Sequence, residues 1–204
     1  MNKREHWEKV WGTHPPEGVS WYAPHLAESL RLIRAVIPPG GSVTDVGGGA
    51  STLVDDLLEA GVGEITVLDI SSAALDIART RLGRRARLVT WIHADIASAS
   101  LPAAAYDVWH DRAVFHFLTE QAHRDAYVAA LGRSLKPGGS AILGTFALHG
   151  PARCSGLDVV RYDASSLQRA LGPHFSLTAS AEQTHMTPDG RPQEFTVCRF
   201  LKTQ

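Results

Sequence analysis

The chain is poor in cysteine: Cys154 and Cys198 are the only two in 204 residues, too few for the disulfide framework of a small secreted domain. No apolar stretch approaches the roughly 20 residues of a membrane-spanning helix, and no charged-then-apolar leader is present. The sequence therefore predicts a cytoplasmic protein without a membrane partner. Charge of one sign is also lacking. Lys and Arg number 20 against 21 Asp and Glu, for a formal net charge of −1, which gives neither nucleic acid nor an anionic surface a general electrostatic hold. Ten histidines include no pair at ligand spacing around an acid, so no metal is predicted. There is no internal repeat, and the length suits one α/β domain better than two.

What the chain does have is Ser42-Val43-Thr44-Asp45-Val46-Gly47-Gly48-Gly49-Ala50-Ser51-Thr52, an apolar strand that runs into three glycines and then a helix. Without Cβ the backbone turns sharply and offers its N–H groups to a ligand, and the start of the next helix adds free donors. The dinucleotide pattern Gly-x-Gly-x-x-Gly is incomplete, because Thr52 holds its third glycine position. Asp69 closes the second strand, at a spacing that suits a carboxylate holding two ribose hydroxyls.

The segment Val43 to Ser51 resembles the first motif of class I S-adenosylmethionine-dependent methyltransferases, which carry Asp-x-Gly-x-Gly. Asp45 matches the acid before the glycines and Asp69 the ribose-binding acid. Ala94-Asp95-Ile96 matches the adenine-binding segment, Tyr106-Asp107-Val108-Trp109-His110-Asp111 the fourth strand, and Leu135-Lys136-Pro137-Gly138-Gly139 the turn before the fifth. The resemblance covers Ser42 to Thr145. It implies S-adenosyl-L-methionine as cofactor and S-adenosyl-L-homocysteine as product. Asp45, Gly47, Gly48, Gly49 and Ser51 would approach the methionine part and sugar, Asp69 and Ile70 the ribose, Asp95 and Ile96 the adenine, and Asp111 the cofactor from the fourth strand. It also implies a Rossmann-like α/β fold: a seven-stranded, mostly parallel sheet with helices on both faces and a reversed last strand in a C-terminal hairpin. The turn Thr187-Pro188-Asp189-Gly190-Arg191-Pro192 suits that hairpin. A nicotinamide oxidoreductase and a non-catalytic S-adenosylmethionine-binding domain are the alternatives of other classes.

The organisation reads as one structural domain: residues 1–38 an N-terminal helical lid or substrate segment, residues 39–204 the methyltransferase domain. Helices are predicted at His6 to Trp11, His25 to Val36, Ser51 to Ala60, Ser72 to Leu82 and Thr119 to Leu135. Further strands are predicted at Ala86 to His93, Ser140 to Ala147, Phe175 to Glu182 and Glu194 to Lys202. Arg79, Arg81, Arg84, Arg85 and Arg87 cluster at a helix end, where they complement the macrodipole.

Ligands of open α/β sheets sit beyond the carboxyl ends of the strands, which singles out His110 to Leu118. Asp111, Arg112 and His116 are the catalytic candidates: the first two form a loop ion pair or meet the cofactor, and His116 orients or deprotonates an acceptor or packs between two phenylalanines. Trp11, Trp21 and Tyr22 are the substrate-facing candidates, since aromatic faces attract a sulfonium. Trp7 and Trp11 share a helical face. The cysteines read as small apolar fillers. The Asp111-Arg112-Ala113 turn resembles thiopurine-type enzymes, whereas the opening His6-Trp7-Glu8 and Trp11 resemble a group with protein-lysine methyltransferases, which carry Asp-Lys-Gly at that turn. The sequence thus points to methyl transfer onto nitrogen or sulfur of a small molecule, with a protein lysine as the second reading.

Overall fold

The computed structural model describes residues 2–203. Two helices, α1 (Lys3–Thr13) and α2 (Ala27–Arg34), precede the alternation β1 (Ser42–Val46), α3 (Leu53–Glu59), β2 (Glu64–Asp69), α4 (Ser72–Leu82), β3 (Val89–His93) and β4 (Tyr106–Arg112). Then come α5 (Gln121–Ser134), β5 (Leu135–Phe146), the two-residue strands β6 (Arg153–Cys154) and β7 (Leu157–Asp158), α6 (Ala164–Leu171), β8 (Phe175–Met186) and β9 (Pro192–Lys202). The sheet order is β3-β2-β1-β4-β5-β9-β8. The first five strands in that order run parallel, and β9 pairs antiparallel with both β5 and β8. The chain winds outward one way from β1 to β3 and then returns to β4 on the other side of β1, so a crevice opens between β1 and β4 at their carboxyl ends.

Helices cover the central strands on both faces, which buries their polar residues Thr44, Asp45, His110 and Asp111 along with the apolar ones. Ile33, Leu53, Leu57, Leu75, Val108 and Ile142 belong to one core layer, and Trp109, Tyr127, Leu131, Leu143 and Phe200 to the other. Side chains alternate along a strand, so β4 sends Val108 and His110 toward α2, and Trp109 and Asp111 toward α5.

The seven-stranded sheet and its terminal hairpin are as the sequence predicts. Several local features are not, among them Ala86 to Leu88, which close a 3-10 turn where the sequence predicts strand. Helix α6 falls where no helix is predicted; Asp163 caps it by accepting from Ser166 N, and Ser166 Oγ closes the reciprocal bond. Strand β5 begins at Leu135 rather than Ser140, because the Pro137-Gly138-Gly139 turn is a bulge inside it, with the register against β4 shifting between Tyr106 and Val108. Cys154 lies in the small β6–β7 hairpin rather than an open loop. Among the described residues, no helix is long and apolar enough to cross a membrane.

Candidate active site

The glycine turn after β1 is held by two bonds to one acceptor, Leu68 O receiving Gly47 N–H at 2.7 Å and Gly48 N–H at 3.3 Å. Gly47 has φ +70° and Gly49 φ +28°, conformations costly for any side chain. A Cβ on Gly47 would collide with Val114, and one on Gly49 would meet Asp69 Oδ2 at 2.5 Å and Ala74 Cβ at 2.9 Å. Bare backbone is thus brought against β2 and the turn after β4, forming a cradle that side chains would fill.

Beside the cradle, Asp69 ends β2 with Oδ1 accepting Ser71 N–H at 2.8 Å. Burial pushes its pKa up to about 7, with the charges of Asp45 and Glu8 adding to the effect. Asp69, Ile70, Asp95 and Ile96 form one end of a cavity that also reaches Gly47. A second crevice runs along Asp45, Gly48, Ser51, Tyr22 and Trp11. A partly desolvated carboxylate suited to two hydroxyls, an apolar slot and a glycine cradle fit a nucleoside whose amino-acid tail follows the turn.

The other end of the cavity lies across β1, on β4, β5 and β9, which bring Arg112, Phe146 and Phe195 to its wall together with Phe117 and Cys154. Helix α1 covers this space. Lys3, Trp7 and Trp11 are spaced four apart on one face and all three line the cavity. Trp21 stands edge-to-face against Trp7 at 5.7 Å and Trp11 at 5.8 Å between ring centroids, and Trp7 meets Phe117 at 5.2 Å. The neighbouring stripe of α1 anchors the helix. Glu8 accepts from Ser72 N at 2.7 Å, Ala73 N at 3.1 Å and Ser71 Oγ at 2.9 Å, so it satisfies the free donors at the start of α4. Burial opposes its charge, but the donors from Ser71 to Ala73 hold its pKa down at about 2.

Residues 43–139 match the family model described as a methyltransferase domain. Residues 43–139 form a methyltransferase domain, and the whole chain has the fold of S-adenosylmethionine-dependent methyltransferases. Over 66% of its length it is 26% identical to the eEF1A lysine and N-terminal methyltransferase of Bos taurus, of which the matched region is 20%. An uncharacterized methyltransferase of Mycobacterium tuberculosis is 34% identical over 56% of this chain and 56% of its own length. The chain thus spans from a fifth to just over half of the length of these relatives. Among solved structures, the N-methyltransferase NodS of Bradyrhizobium japonicum, in complex with S-adenosyl-L-homocysteine, superposes over 100% of both chains with a TM-score of 0.72 at 16% identity. That identity speaks for the fold alone.

The residues expected at the cofactor gather as a group, with two departures. Asp45 reaches the second crevice but its Oδ1 accepts from His110 Nδ1 at 2.7 Å, while His110 Nε2 meets Ser29 Oγ at 3.0 Å. Asp111 does not enter the main cavity. The pleat of β4 turns it inward, where its oxygens accept from Tyr127 Oη at 2.6 Å, Val114 N at 2.8 Å and Phe115 N at 3.1 Å. It ties the loop to α5 and forms no ion pair with Arg112. Arg112 does line the cavity, Nη1 donating to Trp21 O at 3.0 Å. His116, expected either to orient or deprotonate an acceptor or to pack between phenylalanines, is buried behind the wall, its ring centroid 4.5 Å from that of Phe117 and 4.8 Å from that of Phe146. Trp11 and Trp21 face the cavity; Tyr22 borders the second crevice instead. Sequence reasoning missed Glu8, Phe146, Phe195 and Gln193 as site residues; the last two carry no local motif, and Glu8 was visible only as part of the His6-Trp7-Glu8 opening. Among the described residues no group of three or more His, Cys, Asp and Glu is placed to hold a metal ion.

Proposed function

We propose that the chain is an active methyltransferase that moves the methyl group of S-adenosylmethionine to a nitrogen or sulfur nucleophile of a small molecule. One observation carries the reading: the half of the cavity across β1 from Asp69 is walled by aromatic rings and covered by the chain's own α1, anchored through Glu8. Bound cofactor supplies an electrophilic methyl carbon, which bonds to the acceptor's lone pair as its bond to sulfur breaks and the electron pair returns to sulfur, leaving S-adenosyl-L-homocysteine. The residues' task is then to hold the partners in line at roughly 3–3.5 Å and to exclude water. Asp69 would grip the ribose, Asp95 and Ile96 the adenine, the glycine turn and Asp45 the amino-acid tail, while Trp7, Trp11 and Trp21 close the acceptor side.

A protein lysine is the second reading, favoured by the name of the bovine relative. Against it stands Arg112: a lysine acceptor enters as an ammonium, and a half-buried guanidinium in the wall repels it. The deciding experiment incubates the protein with methyl-labelled S-adenosylmethionine and either desalted lysate protein or the small-molecule filtrate of the same lysate. Label in the filtrate is expected. Label confined to protein bands would overturn the small-molecule assignment, and bound cofactor with no transfer to either fraction would mark a domain that binds without turnover.

A further inference from the structure

Arg112 is a half-buried charge with no ionic partner among the described residues. Its guanidinium lies 5.3 Å from the centroid of the Phe195 ring, and its recorded hydrogen bond goes to the neutral Trp21 carbonyl. Among the described residues no carboxylate stands within ion-pair distance of it. Burial draws its pKa down to about 10, so it stays charged at neutral pH. The titratable groups facing it are Asp45 on β1, Cys154 on β6, His116 after β4 and His185 on β8. Both imidazoles are lowered first by burial and then by Arg112 itself, and burial lifts the Cys154 thiol to about 11. Asp45 is the one acid among them, and it is engaged with His110. A half-buried cation in a cavity wall without an anion carries a desolvation cost that a ligand anion would offset.

A second polar group in the same wall is also short of a partner. Gln193 Nε2 reaches Ser20 Oγ at 3.4 Å, while its amide oxygen is buried with no hydrogen bond. Turning the amide over only exchanges which atom goes unpaired. Arg112 and Gln193 belong to β4 and β9, across β1 from the strands that carry Asp69 and Asp95, and flat apolar faces stand beside them. The other cation of the wall, Lys3, is bonded to Phe117 O at 3.0 Å.

We propose that the acceptor is a flat aromatic or heteroaromatic carboxylate, its carboxylate seated on Arg112 and its ring among Trp21, Phe117, Phe146 and Phe195, so that Arg112 sets acceptor specificity. This rests on the small-molecule reading above. The planar guanidinium fork matches a carboxylate with two parallel N–H donors, the rings supply stacking area, and the Gln193 amide is free to hydrogen-bond a ring heteroatom. An acceptor of net negative charge also offsets both Arg112 and the cationic sulfonium. Arg112 borders the second crevice as well, so the carboxylate of the cofactor's own amino-acid tail is the competing occupant.

The test measures quenching of tryptophan fluorescence, with Trp7, Trp11 and Trp21 in the cavity wall as reporters. The protein is saturated with S-adenosyl-L-homocysteine and titrated with two matched pairs: nicotinate against nicotinamide, and thiosalicylate against thiosalicylamide. Affinity for S-adenosyl-L-homocysteine is measured separately by calorimetry, on wild type, Arg112→Lys and Arg112→Met. At least one carboxylate should bind about tenfold tighter than its amide to wild type, the scale of one charge-assisted pair. The preference should vanish in Arg112→Met and shrink in Arg112→Lys, with cofactor-product affinity unchanged. Arg112→Lys carries the comparison if Arg112→Met does not fold. Equal binding of acids and amides by wild type overturns the proposal, and so does loss of S-adenosyl-L-homocysteine affinity in the variants, which would give Arg112 to the cofactor's carboxylate. Wild type that binds S-adenosyl-L-homocysteine but none of the four probes overturns the acceptor class and leaves the methyltransferase reading standing. Failure to bind S-adenosyl-L-homocysteine overturns both.

Discussion

At the scale of single residues, His116 shows how position decides chemistry. Its Nδ1 accepts the Phe146 N–H at 3.3 Å, and Nε2 is buried without a partner. In a neutral imidazole the second nitrogen then carries the proton, so the one basic lone pair is already spent. Burial, aided by the charge of Arg112, pushes its pKa down to about 3. The unfolded chain would take up that proton near pH 6.5 and the native one resists it, so this residue's contribution to stability is present above about pH 6.5 and is lost as pH falls toward 3. His116→Ala should therefore lower the melting temperature, by the equivalent of about 1–3 kcal/mol for a lost buried hydrogen bond and packing. The pH profile of the remaining methyl transfer should keep its shape. Lost turnover and an altered profile in a variant that melts like wild type would restore His116 as a base.

At the scale of elements, α1 and α4 act as a pair. The first turn of α4 has its free N–H groups satisfied by Ser71 Oγ, which accepts from Ala74 N at 3.2 Å, and by Glu8 from another element. Glu8→Ala removes a cap and an anchor together. The expected cost is about 1–2 kcal/mol, the scale of losing a helix cap, with faster hydrogen exchange confined to α1 and the start of α4 and faster release of S-adenosyl-L-homocysteine. Exchange in α1 equal to wild type would show that the aromatic contacts alone hold the helix down. Such a clamp is illegible in sequence, because Glu8 meets partners 63 to 65 positions away. The sheet was legible for the opposite reason: strands buried on both faces read as short stretches rich in apolar residues between turns, as Ile65 to Leu68 and Ala141 to Leu143 do. Helix α6 is too short for periodicity to reveal, and its Asp163–Ser166 box lacks the acidic fourth residue that marks a helix start. Asp111 was placed correctly along β4 and wrongly around it, since one step in the pleat separates a side chain facing the crevice from one facing Tyr127.

At the scale of the whole molecule, folding and the proposed binding of ribose at Asp69 would share one proton. Asp69 ionises near 3.8 in the unfolded chain and near 7 in the folded one, because burial outweighs the bond from Ser71 and the charges of Asp45 and Glu8 oppose ionisation further. Between those values the native state holds a proton the unfolded state has lost, so this residue's contribution to stability is full below about pH 4 and declines as pH rises to 7. A ribose diol donating two hydrogen bonds reverses the preference, since it favours the carboxylate. Ligand binding near neutrality must then expel the proton. The affinity for S-adenosyl-L-homocysteine should weaken as pH falls below 7, approaching about tenfold per unit, and the ligand's upward shift of the melting temperature should grow from pH 5 to pH 8. Calorimetry in buffers of different ionisation enthalpy should record proton release near pH 6.5. Asp69→Asn should bind more weakly at pH 8, by about 1–3 kcal/mol for a lost charged partner, and show a flat pH dependence with no proton released. A wild-type protein with equally flat affinity from pH 5 to pH 8 would mean that Asp69 enters the complex in the charge state it already had, and its grip on the sugar would have to be assigned elsewhere.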